Sequence, residues 1–268
     1  MKPDSAGTVV GRVAEVRRYP VKSAQGEQLA RALVGPNGVD GDRRYAIVDT
    51  ATGRVASAKD PRKWADLLGL RAELRAGVLV VTAPGGSEYR SDRDHLDSVL
   101  SDLLRRPVVL RDAPPAAAAI EVQWPDVPGL PGGGSESVEV LPPGGFFDLA
   151  PLHLLTTATL DRLRTLAPEC AFDPRRFRPN LVIETVPALT GFVETEWVGK
   201  RLLIGDTPIA VTAPCSRCVM TTLAQPGLPS DRDVLRAVAA RAGAAVGVYA
   251  SADRTGTVAV GDAVWLLE

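Results

Sequence analysis

Ten short apolar runs constrain this chain more than any other feature of its sequence. Each is rich in valine, isoleucine or leucine and is closed off by glycine, proline or aspartate. Thr8 to Val16, Tyr45 to Asp49, Val78 to Thr82 and Val108 to Leu110 lie in the first part. Leu181 to Glu184, Leu202 to Ile204, Ile209 to Thr212, Val246 to Ala250, Thr257 to Val260 and Ala263 to Leu267 lie in the second. Such residues suit a pleated, half-buried surface, so short runs separated by turn residues predict a mainly β protein. Gly205-Asp206 and Gly261-Asp262 sit between successive runs and predict hairpin turns.

Three peripheral helices are expected. Asp92 to Leu104 places Leu96, Val99, Leu100, Leu103 and Leu104 on one face, and Thr159 to Leu166 repeats Leu160 and Leu163 at helical spacing. Asp231 to Ala242 follows Ser230, with Asp233 three residues on as in a capping box, and Gly243 ends it. Between Pro114 and Gly145, 13 of 32 residues are proline or glycine. That composition disfavours helix and strand interiors and predicts a long linker or loop, with Trp124 available to pin it to the body. The expected organisation is two β-rich halves, over residues 8–112 and 146–268, separated by a linker over 113–145.

The net charge of -1 gives no bulk attraction to nucleic acid or acidic membranes, so any bound anion must be held by a local basic cluster. The first residues, Met1 to Gly7, carry no apolar segment of a signal peptide, and no apolar run is long enough to span a bilayer. A soluble cytoplasmic protein is expected. Cys170, Cys215 and Cys218 are the three cysteines. They are too few for a disulfide scaffold or for an ordinary four-cysteine iron–sulfur cluster.

The sharpest local motif is Pro214-Cys215-Ser216-Arg217-Cys218, expected on a loop after the run ending near Thr212. A zinc half-site would need a second pair of ligands, and only the scattered Cys170, His95 and His153 remain. A thioredoxin-like pair usually opens a helix, and Val219-Met220-Thr221-Thr222 is β-branched. A single soft thiolate for a transition metal needs only one of the two cysteines. Two packed thiols without chemistry would look the same, because free cysteine is commonly buried. A second signal is basic residues where runs meet loops: Lys22 in Tyr19-Pro20-Val21-Lys22-Ser23, Arg43 in Gly41-Asp42-Arg43-Arg44, the Arg175 to Asn180 stretch, and Arg217. Lysine and arginine suit phosphate, and serine, threonine and asparagine add neutral hydrogen bonds. Taken singly, each could be an ordinary surface charge. Walker, dinucleotide-fold, zincin and serine-hydrolase motifs are all missing, and two histidines support neither a serine triad nor a multi-histidine metal site.

Taken together, these segments resemble the MOSC family, named for the molybdenum cofactor sulfurase C-terminal domain. Val13 to Asp49, with Tyr-Pro-Val-Lys-Ser at 19–23 and Asp-Arg at 42–43, looks like the β-barrel domain that precedes MOSC domains. Arg176 to Ile183, Ile204-Gly205-Asp206 and Cys215 to Thr222 look like the MOSC core, and Gly256 to Asp262 like its closing hairpin. The resemblance is strongest to the amidoxime-reducing members of the family. It implies a molybdenum–molybdopterin cofactor seated between the two barrels, with Cys218 as the metal ligand and catalytic centre. Lys22, Ser23, Arg43, Arg178 and Asn180 would hold the pterin and its phosphate, with Thr156, Thr157 and Ser216 as further contacts. Arg217 beside Cys218 would favour the ionised thiol. Ala24 stands where relatives often carry cysteine, and the membrane segment and ferredoxin domain of some members have no counterpart here.

The implied activity is reduction of small N-hydroxylated substrates. The electrons would come from a separate reductase, haem or iron–sulfur protein, because the chain holds no second redox motif. Two other roles compete with it. One is a sulfur carrier or sulfurtransferase with a persulfide on Cys218, and the other is a carrier that binds and delivers the molybdenum cofactor.

Overall fold

The computed structural model describes residues 7–130 and 132–267. The expectation drawn from Met1 to Gly7 falls mostly outside them. In chain order the first part runs β1 (Gly7–Arg18), β2 (Glu27–Leu29), β3 (Arg31–Gly35), β4 (Gly38–Val39), β5 (Ala46–Asp49), α1 (Pro61–Trp64), β6 (Arg71–Arg75), β7 (Val78–Thr82), β8 (Glu88–Arg90), α2 (Leu96–Leu104) and β9 (Val108–Arg111). Next come β10 (Ala119–Gln123) and β11 (Glu136–Val140). The remainder is β12 (Leu152–Thr156), α3 (Thr157–Leu166), α4 (Pro174–Phe177), β13 (Leu181–Thr185), β14 (Arg201–Ile204), β15 (Thr207–Ser216), α5 (Asp233–Arg241), β16 (Ala245–Ala252), β17 (Gly256–Ala259) and β18 (Ala263–Leu267).

The molecule is mainly β, as expected. Seven strands close on themselves in the order β13-β12-β16-β15-β14-β18-β1, and a β1–β13 pairing completes the ring. Every pairing in it is antiparallel except β12–β13. Parallel neighbours need a crossover, and α3 supplies it. Thr156 caps that helix, its hydroxyl accepting from the Thr159 amide at 3.1 Å. The barrel interior is filled by Val13, Val16, Leu154, Ile183, Ile209, Val211 and Val248 with Trp197. A second core lies beneath the first-part sheets, where Leu96, Leu100 and Leu104 of α2 meet Ile47, Trp64, Leu67 and Leu79.

The first strand, expected in the half over residues 8–112, is therefore a stave of this barrel. Strand β2 pairs with it, and the other strands of the first part lie in two- and three-stranded sheets. Gly11 sits where the seam is tightest: a Cβ there would lie 2.3 Å from the Glu184 carbonyl oxygen on β13. Gly11→Ala should force this seam apart and cost about 1–3 kcal/mol or more, as overpacking does. A urea-unfolding midpoint equal to that of the parent would show that the seam yields freely.

Four expectations need correction. The stretch 113–145 is not structureless: β10 and β11 pair as a hairpin there, and Trp124 donates to Ser137 across it at 2.9 Å. Ile120 and Val122 of β10 pack on Ala46, Val48 and Phe146. Gly205-Asp206 does join the hairpin β14–β15, but Gly261-Asp262 joins strands that do not pair. The Asp262 carboxylate instead accepts from the Ala259 amide at 2.8 Å. Helix α5 starts after Arg232 without a side-chain cap, and the Ser230 hydroxyl donates to Thr222 O at 3.1 Å. The described residues hold five short α-helices where three were expected. None is long and apolar enough to cross a membrane.

Candidate functional site

At one end of the barrel, a cavity of about 380 Å³ opens between β15, the β12–β13 crossover and the first-part loops. Seven of the nine residues expected at the site line it: Lys22, Ser23, Arg43, Arg178, Asn180, Ser216 and Cys218. Thr156 and Thr157 do not join them. The Thr156 hydroxyl donates to the buried Glu194 carboxylate at 2.6 Å, and the Thr157 hydroxyl accepts from the Thr185 amide at 3.3 Å on another face of the molecule. Thr156 caps α3, which is the structural reason for its hydroxyl, and Thr157 ties the start of that helix to the end of β13.

Each lining residue is held by local backbone geometry. The Lys22 amide donates to Tyr45 O at 2.9 Å, and a Val21 to Ala24 turn follows. The Ser23 hydroxyl accepts from the Ala58 amide at 3.1 Å. The Arg43 amide donates to Tyr19 O at 2.8 Å, and Arg178 closes α4. Ser23, Arg43 and Arg178 all have left-handed backbones, at φ of 62°, 45° and 58°. For a residue with a Cβ this costs about 1–2 kcal/mol each. Both guanidinium groups lie over the Tyr19 ring, at 4.4 Å for Arg43 and 4.3 Å for Arg178. Asn180 spends its amide internally, accepting from the His153 amide at 3.1 Å and donating to Arg17 O at 3.3 Å. It joins β1 to β12 beneath the cavity floor.

The cysteine motif lies differently from expectation. Strand β15 continues through Ser216, with register shifts at Val211/Ala213 and Pro214/Ser216, so Cys215 is buried within a strand. The Arg217 amide is anchored to Ala244 O at 2.9 Å. Its guanidinium donates to Cys215 Sγ and to Phe177 O, each at 2.8 Å, so Arg217 hydrogen-bonds Cys215, while its charge also interacts with Cys218. Cys218 is half-buried beside Ala58, Leu68 and Met220. Cys170 is buried among α3 and α5 side chains, away from the cavity; burial pushes its thiol up to about 11.

Sequence reasoning missed Lys59, Asp148, His153 and Tyr249, all of which line the cavity. The Asp148 carboxylate bridges the ammonium groups of Lys22 and Lys59, and Lys22 also donates to Phe146 O at 2.8 Å. Burial opposes the Asp148 charge, but the two lysines outweigh it and hold the carboxyl well below its usual range. Burial likewise opposes the charge on Lys59, and Asp148, Cys218 and Glu139 overcome it and raise its pKa. For Lys22 burial wins and the pKa falls. Arg178 drops to about 10 through burial and the neighbouring Arg43 charge. Five cations thus face two carboxylates of the lining, Glu139 and Asp148, while Asp42 pairs with Arg43 behind it. Arg217 Nε is also buried with no hydrogen-bond partner. Desolvated cations in excess and an orphaned N–H donor fit an anionic, acceptor-rich ligand. Among the described residues no three His, Cys, Asp or Glu side chains converge on a point. A metal here would bring most of its ligands with it, and the half-buried Cys218 offers it one soft thiolate.

His153 gives the site a pH signature. Burial and the Arg217 charge push its pKa from 6.5 to about 3, and its Nε2 lies 3.2 Å from Val246 O. The unfolded chain takes up this proton first, so stability falls as pH drops below the unfolded value, down to about 3. The loss approaches about 1.4 kcal/mol per pH unit. His153→Gln should flatten the pH dependence of urea unfolding between pH 6 and 4 relative to the parent. Parallel curves for the two proteins would show that His153 protonates freely in the fold.

Residues 144–265 match the MOSC domain and residues 10–107 match the MOSC N-terminal beta barrel domain. Between them the two matches take in most of the chain, which belongs to the MOSC domain family. Rat (Rattus norvegicus) mitochondrial amidoxime reducing component 2 is 29% identical over 131 residues, covering 44% of this chain and 37% of the rat protein. The matched stretch is thus little more than a third of that relative. Among solved structures, the YUAD protein from Bacillus subtilis aligns over 97% of this chain and 98% of its own at 10% identity, with a TM-score of 0.49. YiiM from Geobacillus stearothermophilus aligns over 44% of this chain and 55% of its own at 15% identity, with a TM-score of 0.34.

Proposed function

We propose that the cavity holds a molybdenum–pterin cofactor and that the protein is a cytoplasmic oxidoreductase. In this reading it reduces small N-hydroxylated compounds with electrons from a separate partner protein. The observation that carries the reading is the meeting, in one cavity, of the half-buried Cys218 thiol with Lys22, Ser23, Arg43 and Arg178. The cation excess and the orphaned Arg217 Nε suit the phosphate and the acceptor atoms of a pterin. Bound there, the cofactor would supply the two-electron redox chemistry of the reaction.

The chain's own residues then have separable tasks. Lys22, Arg43 and Arg178 neutralise the phosphate, and Ser23 and Ser216 add hydroxyl hydrogen bonds. Cys218 supplies the thiolate, with the Lys59 ammonium close by to stabilise its charge. Asn180 positions the floor. Asp148 marks where an anion sits: its carboxylate already bridges Lys22 and Lys59.

Two thiols in one cavity also suit a sulfur carrier with a persulfide on Cys218, and the basic lining alone suits a carrier of the cofactor. One experiment separates the three. The protein is expressed with molybdate available, then assayed for bound molybdenum, cyanide-releasable sulfur and benzamidoxime reduction with a chemical electron donor. The enzyme reading expects about one molybdenum per chain together with turnover. Metal-free protein rich in labile sulfur would establish the sulfur carrier. Bound molybdenum without turnover of any N-hydroxylated compound would establish the cofactor carrier.

A further inference from the structure

A second cavity, also of about 380 Å³, lies on another side of Arg178. Its walls come from the end of β1, the Gln25 to Gln28 turn, β6, the start of α4 and the Gln225 to Leu228 turn. Two observations mark it as a built site. Gln225 is 8% exposed, lines the cavity, and its Nε2 is buried with no hydrogen-bond partner. A buried N–H donor left unsatisfied is rare, because it forfeits its hydration for nothing. Four arginines, Arg17, Arg71, Arg175 and Arg178, share the lining with one carboxylate, Glu27.

The ion pairs around the cavity leave donors over. Arg17 pairs with Glu15, Arg71 with Glu73, Arg175 with Asp173 and Glu27 with Arg18. A guanidinium has five N–H donors, and each pair uses one or two of them; Arg175 gives a third to Pro226 O at 3.1 Å and keeps two. Arg178 has no ion pair among the described residues; it is buried and donates to Ala24 O at 2.7 Å. Guanidinium forks and an amide N–H around one space match the several acceptor oxygens of a phosphate or carboxylate. The volume leaves room for a small organic group behind the oxyanion.

We infer that this second cavity is a binding site for a small oxyanion, a phosphate or a carboxylate, with Gln225 and Arg175 as its recognition residues. It is distinct from the site proposed for the pterin cofactor and does not depend on that proposal, although Arg178 lines both cavities.

The test is thermal melting of the purified protein against increasing inorganic phosphate or citrate, at constant ionic strength set with chloride. The parent is compared with Gln225→Leu, Arg175→Met and, as a control for the first cavity, Lys59→Met. In chloride alone Gln225→Leu should melt at or above the parent, because an unsatisfied donor has gone. Its rise in melting temperature with one or both oxyanions should be smaller than that of the parent by half or more. Arg175→Met should lose the same response, and Lys59→Met should keep it. Loss confined to phosphate or to citrate identifies the chemistry of the ligand, and either supports the site. Responses in Gln225→Leu and Arg175→Met equal to the parent's for both anions would overturn it.

Discussion

Replacement of Cys218 by alanine should reduce bound molybdenum from near one per chain to the background of the assay, while Cys215→Ala keeps most of it. The contrast rests on where the two sulfurs lie. Cys215 is buried inside β15 and accepts from Arg217 at 2.8 Å, so its sulfur is already engaged by the protein. Cys218 is half-buried at the cavity and begins the turn Val219–Thr222. A metal thiolate needs both an open approach and a charge-stabilising neighbour, and Lys59 offers the second. Inductively coupled plasma analysis of both variants is decisive, with circular dichroism to confirm folding. Metal retained in Cys218→Ala and lost in Cys215→Ala would show that the buried thiol is the ligand.

Arg176→Met is expected to be the most destabilising single change near the site. Arg176 is fully buried, and its guanidinium donates to the carbonyls of Ala171, Thr221, Leu223 and Pro229, at 3.0, 3.2, 3.4 and 2.7 Å. It fastens the turn after Cys218 to the α4 segment. Methionine would leave four inward-facing carbonyls without this donor, at a cost of about 1–3 kcal/mol for each that finds no other partner. Because Thr221 and Leu223 lie just beyond Cys218, metal content should fall too, by less than in Cys218→Ala. Urea unfolding gives the first number and metal analysis the second. A loss below about 0.5 kcal/mol, the scale of ordinary surface changes, would mean that those carbonyls find other partners.

The parts of the fold written in local pattern were legible in the sequence. The apolar runs became strands, and α2 buries Leu96, Leu100 and Leu104 as its periodicity predicts. Strand β10 was hidden although Ala119–Gln123 alternates cleanly, with Ile120 and Val122 buried; the surrounding proline and glycine swamped a five-residue signal. The Gly261-Asp262 turn failed as a hairpin because turn chemistry fixes a reversal and does not choose partners: β17 goes to β3 and β18 to β1 and β14.

At the cavity, the residues carried by recognisable motifs, Lys22, Ser23, Arg43, Arg178 and Cys218, came together. Lys59 and Asp148 did not announce themselves, since neither sits in a motif and each matters only because the fold brings it beside Lys22. Arg217 shows the limit most directly. Between two cysteines in sequence it could serve either, and only the register shift at Pro214/Ser216 and the anchor to Ala244 turn it toward Cys215.

The seam of the barrel bears on how the protein is made. Strand β1 is the first stave to leave the ribosome, yet its partners β13 and β18 are the residues Leu181–Thr185 and Ala263–Leu267. At about 5–20 residues per second, that strand waits on the order of ten to fifty seconds before its last partner exists. Throughout that interval Val10, Val13 and Val16, which the finished barrel buries, have no interior to occupy. Ring closure is therefore a late event with long-range contacts, the kind that folds slowly. Among the staves of the barrel, the one made earliest is the one that waits longest for its partners.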